Sequence, residues 1–242
     1  MKTNRNSSLF ILCAILAGIF MLLSSGCKKD SDDNNTPAGS IKDKDGNVYH
    51  TVSIGDQTWL LENLKTTHYN NGDPINPGKM YKAGVDADTA GAWLNYYNND
   101  SIAEIYGRLY NFYVVNDPRG IAPEGYHVPT DEEWFALEMY LGNDSLTGGK
   151  LKEAGFAHWQ SPNAFATNST GFTALPAGSY AGFFGFVGLG MWNSLWTSTS
   201  TTQWYADARG LVYTNGLMGG AHLGDGSKSN FFSIRCVQDV KK

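Results

Sequence analysis

The sequence predicts a compact, turn-rich domain of mixed or mostly β character, with two main helices set among Gly-rich hairpins and loops. Three observations carry this. The 242 residues include 28 Gly and 8 Pro, a density that breaks helices and excludes a coiled coil or long helical bundle. They also include 7 Trp, 13 Tyr and 12 Phe, which a disordered chain lacks. Finally, most apolar runs alternate with polar residues between turn signals, and only two segments carry helical spacing. The 18 basic and 23 acidic residues leave a net charge of −5 with no basic stripe to gather phosphates, so nucleic acid is not an expected partner.

The chain divides into 1–26, 27–40 and 41–242. Lys2 and Arg5 precede an apolar run over 9–23, shorter than the roughly 20 residues of a membrane-spanning helix, which reads as a signal peptide. The run ends in Leu23-Ser24-Ser25-Gly26-Cys27, which resembles the bacterial lipobox and makes Cys27 the expected site of lipidation. Acyl chains on Cys27 would hold the protein on a membrane. The polar stretch from Lys28 to Ser40 has no residue to anchor it in a core and reads as a flexible tether. Its Ser31-Asp32-Asp33 run resembles the acidic signal that directs Bacteroidetes lipoproteins to the outer face of the outer membrane. Removal of 1–26 would leave 16 basic against 23 acidic residues, as suits a solvated ectodomain. Cys13 would leave with the signal peptide and Cys27 would be lipidated, so Cys236 has no internal disulfide partner.

Within 41–242, two hairpins come first. Asp45-Gly46-Asn47 separates Ile41 from Val48, and Gly55-Asp56-Gln57 separates Val52 and Ile54 from Trp59 and Leu61. Asp43 to Asn47 superficially matches the start of a calcium loop, but position 54, where a bidentate Glu is required, is Ile. Residues 68–104 are irregular, and such stretches are commonly functional or held by an ion or partner. Asp86, Asp88, Asn98 and Asp100 there carry the hard oxygens that calcium prefers, although the same residue types serve as turns and caps. Calcium is the one cofactor these residues suggest.

The first helix is expected over 106–115, where Leu109, Phe112 and Tyr113 have helical spacing. The second begins at Thr130, with Glu133 completing a capping box, Trp134, Leu137 and Leu141 on one face, and Gly142 as its stop. Helix initiation accounts for Asp131, Glu132 and Glu133 without invoking acid–base chemistry. From 171 onward the pattern is Gly-rich strands and loops. The Gly-x-x-Gly-x-Gly run over 185–190 is not a dinucleotide fingerprint, because no βαβ unit surrounds it.

Five ordered strings then carry a resemblance. They are Ile54-Gly55-Asp56-Gln57-Thr58-Trp59-Leu60-Leu61-Glu62-Asn63-Leu64, Tyr106-Gly107-Arg108-Leu109-Tyr110-Asn111-Phe112, Gly125-Tyr126-His127-Val128-Pro129-Thr130-Asp131-Glu132-Glu133-Trp134, Gly171-Phe172-Thr173-Ala174-Leu175-Pro176-Ala177-Gly178, and Phe232-Ser233-Ile234-Arg235-Cys236-Val237. Together they resemble the Fibrobacter succinogenes major paralogous domain, common in lipoproteins of Bacteroidetes. The helix after Val128-Pro129-Thr130 and the terminal Arg235-Cys236-Val237 look like those of the formylglycine-generating sulfatase-modifying enzymes. That likeness implies an α+β, C-type-lectin-like fold. Members often carry a Cys after the equivalent of Ala92-Trp93; here the position is Leu94, and Cys236 reads as a small buried apolar residue.

The resemblance also frames the function. The related enzymes use a cysteine pair on copper, or a histidine cluster on iron; this chain has a single remaining Cys, and its five His are scattered. No nucleophile elbow, P-loop or zinc spacing occurs. The expectation is therefore a non-catalytic, surface-anchored binding or adhesion module on the outer membrane. Glycan is the first ligand class, and a protein partner or an assembly role is the alternative. Trp and Tyr stack on sugar faces while amides, carboxylates and guanidinium groups orient them. The candidate contacts are Trp192, Asn193, Trp196, Trp204, Tyr205, Asp207, Arg209 and Asn230.

Overall fold

A computed structural model describes residues 41–80, 89–182, 184–220 and 226–240. The signal segment, Cys27, the tether, and the calcium candidates Asp86 and Asp88 lie outside the described residues. The described part belongs to the compact unit Pro37–Lys242. It is α+β and mostly β, with fifteen short strands and four helices among the described residues.

Both expected hairpins form. β1 (Ile41–Lys42) pairs with β2 (Val48–Tyr49). The Asp43 carboxylate closes the loop between them, accepting from the backbone N–H of Asp45 and of Asn47 at 3.0 Å and from the Tyr49 hydroxyl at 2.6 Å. β3 (Thr51–Ile54) pairs with β4 (Gln57–Leu60), with Ile54 opposite Gln57. The two-residue turn between them requires the positive φ of 59° that Gly55 supplies.

β5 (Asn76–Pro77) and β6 (Ala92–Leu94) lead into a 3-10 turn at Tyr96–Asn98 and then α1 (Asp100–Tyr106). The Asn99 side chain caps α1 by accepting from the N–H groups of Ser101 and Ile102. The helix expected over 106–115 is corrected here: α1 stops at Tyr106, β7 (Leu109–Asn111) follows, and only the single turn α2 (Phe112–Val115) is helical. The reason is Gly107. Its φ of 79° ends α1, and a Cβ there would sit 2.6 Å from that of Asn63, so the chain presses against the preceding segment and leaves as a strand. The spacing of Leu109, Phe112 and Tyr113 therefore straddles a strand–helix junction.

After β8 (Tyr126–His127), α3 (Asp131–Tyr140) begins with the predicted capping box between Thr130 and Glu133. His127 is set between two carboxylates, Nδ1 at 2.6 Å from Asp239 and Nε2 at 2.8 Å from Glu133. Trp134 and Leu137 are buried, and Trp134 packs on Trp59 with ring centroids 4.4 Å apart. The short α4 (Thr147–Leu151) precedes Lys152, which is wholly buried and donates to the carbonyls of Ala164, Val212 and Asn215 at 2.9, 2.9 and 2.8 Å. Burial pulls its pKa down to about 8, so the ammonium persists at neutral pH and ties two loop segments to the end of the strand at Val212.

The remaining strands are β9 (Ala177–Ala181), β10 (Gly185–Leu189), β11 (Trp192–Ser200), β12 (Ala206–Val212), β13 (Met218–Gly220), β14 (Phe231–Phe232) and β15 (Val237–Gln238). The large sheet runs β13-β12-β11-β9-β14-β7-β6-β5, with β10 paired to β9; the smaller one runs β3-β4-β15-β8. The segment 232–237 crosses between them: Ser233 bridges to Leu195 of β11, and the Cys236 carbonyl accepts from Leu60 of β4. Cys236 is fully buried, as expected of a small apolar residue, and burial pushes its thiol well up. β11 lies between two apolar clusters, with Leu195 in the one built on α3 and Trp196 in the one built on Tyr110, Phe112 and Phe232.

Candidate functional site

The β11–β12 hairpin carries most of the predicted contacts and separates them by depth. At its base, Trp196 is wholly buried, its indole N–H donating to the Tyr110 carbonyl at 2.7 Å and its ring 4.4 Å from Phe232. Trp192 is buried over Gly188, with its indole N–H on the Ser179 hydroxyl at 3.3 Å. Asn193, at the parallel bridge to Gly178, and Asn230 are buried as well. These four belong to the interior, which corrects their assignment to a ligand surface: β11 is covered on both faces over its first six residues.

Arg209 is likewise committed internally. Its guanidinium pairs with Asp131 at 2.5 Å and Glu138 at 3.2 Å, clamping α3 onto β12. Asp207, half-buried beside it, has its carboxyl pushed up by burial and by the negative charge of Asp131.

The tip differs. Trp204 is 60% and Tyr205 42% exposed, yet their backbone is fixed. The Thr202 hydroxyl accepts from the N–H groups of Trp204 and Tyr205 at 3.2 and 3.0 Å, and the Tyr205 carbonyl accepts from those of Thr201 and Thr202. Lys228 braces the tip from the side. Its N–H donates to the Trp204 carbonyl, and its ammonium donates to the Ser200 hydroxyl at 2.6 Å and the Thr202 carbonyl at 2.8 Å. Two aromatic rings thus stand on a hydrogen-bonded platform, beside the Thr202 hydroxyl, with little ordering left to lose.

A second aromatic surface lies at the irregular stretch. Tyr97 and Asn98 both have φ of 54°, and the exposed Tyr97 ring meets Phe186 at 5.4 Å, with Phe184 also exposed nearby in sequence. A cavity of about 220 Å³ beside it is lined by Pro77, Trp93, Asn95 and Asn98. Arg108 stacks over the Trp93 ring at 4.6 Å and donates to Asn95 at 3.0 Å. The sequence signal for this region is its density of Asn, Asp and Tyr, which points to an ion or a partner rather than to an aromatic surface. Of the calcium candidates described, Asp100 accepts from the Asn95 amide at 2.5 Å at the start of α1, and Asn98 is exposed. Among the described residues no three His, Cys, Asp or Glu side chains gather around a point where a metal would sit.

The described histidines stand apart, each on its own carboxylate: His50 on Glu62, His68 on Asp45, His127 as above and His158 on Glu153. Among the described residues no helix is long and apolar enough to cross a membrane. The family described as the Fibrobacter succinogenes major domain matches residues 52–238. No curated protein and no solved structure matches the chain.

Proposed function

This chain belongs to the Fibrobacter succinogenes major domain family, and on that premise we propose that it is a lipid-anchored module of the outer membrane, facing the exterior and binding glycans without catalysis. The single observation that supports the ligand class is the pair Trp204 and Tyr205, exposed on a braced hairpin tip beside hydroxyl groups. Exposed rings on a fixed backbone stack on sugar faces at low entropic cost. The anchoring part of the reading rests on Cys27 and the run before it. A C-type-lectin-like topology is part of the same reading, supported by the capped α3 and the terminal β15 set between β4 and β8.

A protein partner is the second reading. Phe135 and Met139 stand one turn apart on the outer face of α3, each about half exposed. A glycan array probed with the full chain, with and without a calcium chelator, separates these readings and tests the calcium expectation at Asp86, Asp88, Asn98 and Asp100. Retention of at least one glycan class is the expected result. Retention of none, together with turnover of any small substrate, overturns the proposal.

A further inference from the structure

Arg235 is 1% exposed and carries five N–H donors into the interior. Nε donates to the Asn63 side-chain carbonyl at 3.1 Å, and Nη1 to the carbonyls of Phe172 at 2.8 Å and Leu60 at 3.4 Å. The guanidinium lies 4.5 Å over the Phe172 ring. Asn63 is itself fixed by donating to the Tyr106 carbonyl at 2.8 Å. Nη2 has no acceptor, and no carboxylate pairs with Arg235, among the described residues. Burial lowers the pKa only to about 10, so the charge remains at neutral pH. Glu62 acts on the guanidinium through space and holds its pKa up against burial but makes no ion pair with it, so the Nη2 edge stays open to an acceptor.

That side chain lines a cavity of about 210 Å³. Its other walls are of two kinds. Leu61, Ile105 and Leu175 are apolar, and Ile105, half exposed, forms the rim. Thr173 is a β-branched residue held at φ of 54°, pinned by Asn168, which accepts from its N–H at 2.8 Å and donates to its hydroxyl at 2.9 Å. Such a backbone is costly for Thr and marks a wall whose shape the surrounding structure enforces. Glu62 completes the lining, its two oxygens accepting from the backbone and ring N–H groups of His50 at 2.8 and 2.7 Å. The cavity is built where three of the five signature strings meet, those containing Glu62-Asn63, Phe172-Thr173 and Arg235.

We propose that this cavity binds a small aliphatic monocarboxylate, its carboxylate on the Nη2 edge of Arg235 and its short tail against Leu61, Ile105 and Leu175. The charge of Glu62 in the same lining disfavours a second negative charge on the ligand, which selects a monoanion over a dianion. This site is separate from the aromatic tip, and its test does not depend on the glycan reading.

Butyrate is the probe, titrated into the full chain by calorimetry, with 1-butanol as the neutral control and succinate as the dianion. Butyrate should bind at least tenfold more tightly than either. Arg235→Lys should abolish binding but threatens the fold, so Ile105→Trp, which fills the rim from a half-exposed position, carries the test. It should weaken butyrate at least tenfold with an unchanged melting temperature. Equal binding of butyrate and 1-butanol, no binding of butyrate, equal binding of succinate, or undiminished binding to a folded Ile105→Trp chain would each overturn the proposal.

Discussion

The base and the tip of the β11–β12 hairpin are built from the same residue types and meet opposite fates. Trp192 and Trp196 at the base are walled in on both faces of β11, whereas Trp204 and Tyr205, beyond the last core-facing register, remain exposed. The difference lies in what covers the strand, not in the aromatic residues themselves. A central strand between two clusters buries alternate residues on both sides, so period-two alternation carries no inside–outside signal there. Past Ser200 the chain leaves the strand, and the tip is held by hydrogen bonds within 201–205 and from Lys228.

This contrast can be broken or sharpened by substitution. The largest expected effect is at the base: Trp196→Ala should cost about 3–5 kcal/mol in chemical denaturation, through the cavity it leaves against Phe112 and Phe232. Lys152→Met comes next. It leaves the carbonyls of Ala164, Val212 and Asn215 without their buried donor, for an expected loss of about 3 kcal/mol. Thr130→Ala removes one half of the capping box and should cost about 1 kcal/mol, again by denaturation.

A smaller effect follows pH. Burial alone would lower the His127 pKa, but hydrogen bonds to Asp239 and Glu133 outweigh it and leave the pKa raised. A raised folded value means that the stability from this pair is complete below the unfolded value of about 6.5 and is lost as pH rises through the folded one. Melting temperature should therefore decline as pH rises above about 6.5, and His127→Gln should flatten that decline. Smallest of all, Trp204→Ala should change stability by no more than about 0.5 kcal/mol, because its ring contributes little to the core.

How much of this was legible in the sequence depends on whether one residue or a layer of neighbours decides the outcome. Gly55 and the Thr130–Glu133 pair act locally, so the second hairpin and the start of α3 could be read directly. Gly107 also acts locally, but its effect comes from a close approach to Asn63 far upstream that leaves no room for a Cβ, and the helical spacing over 106–115 misled. Of the candidate contacts, Trp192, Asn193, Trp196 and Asn230 lie in the interior, while Trp204 and Tyr205 stand exposed. Arg209 is taken up by Asp131 and Glu138 of α3, a pairing that no spacing within 190–230 announces. The Arg235 cavity drew on signature strings that were recognised, but their convergence is a property of the folded chain alone.

The most direct test of the binding account compares glycan retention by the full chain and by a Trp204→Ala, Tyr205→Ala double variant, alongside their melting temperatures. The account predicts that the double variant melts within a few degrees of the unaltered chain and loses at least tenfold in affinity for the retained glycan. Equal affinity in a folded double variant would contradict it and move the ligand away from the hairpin tip.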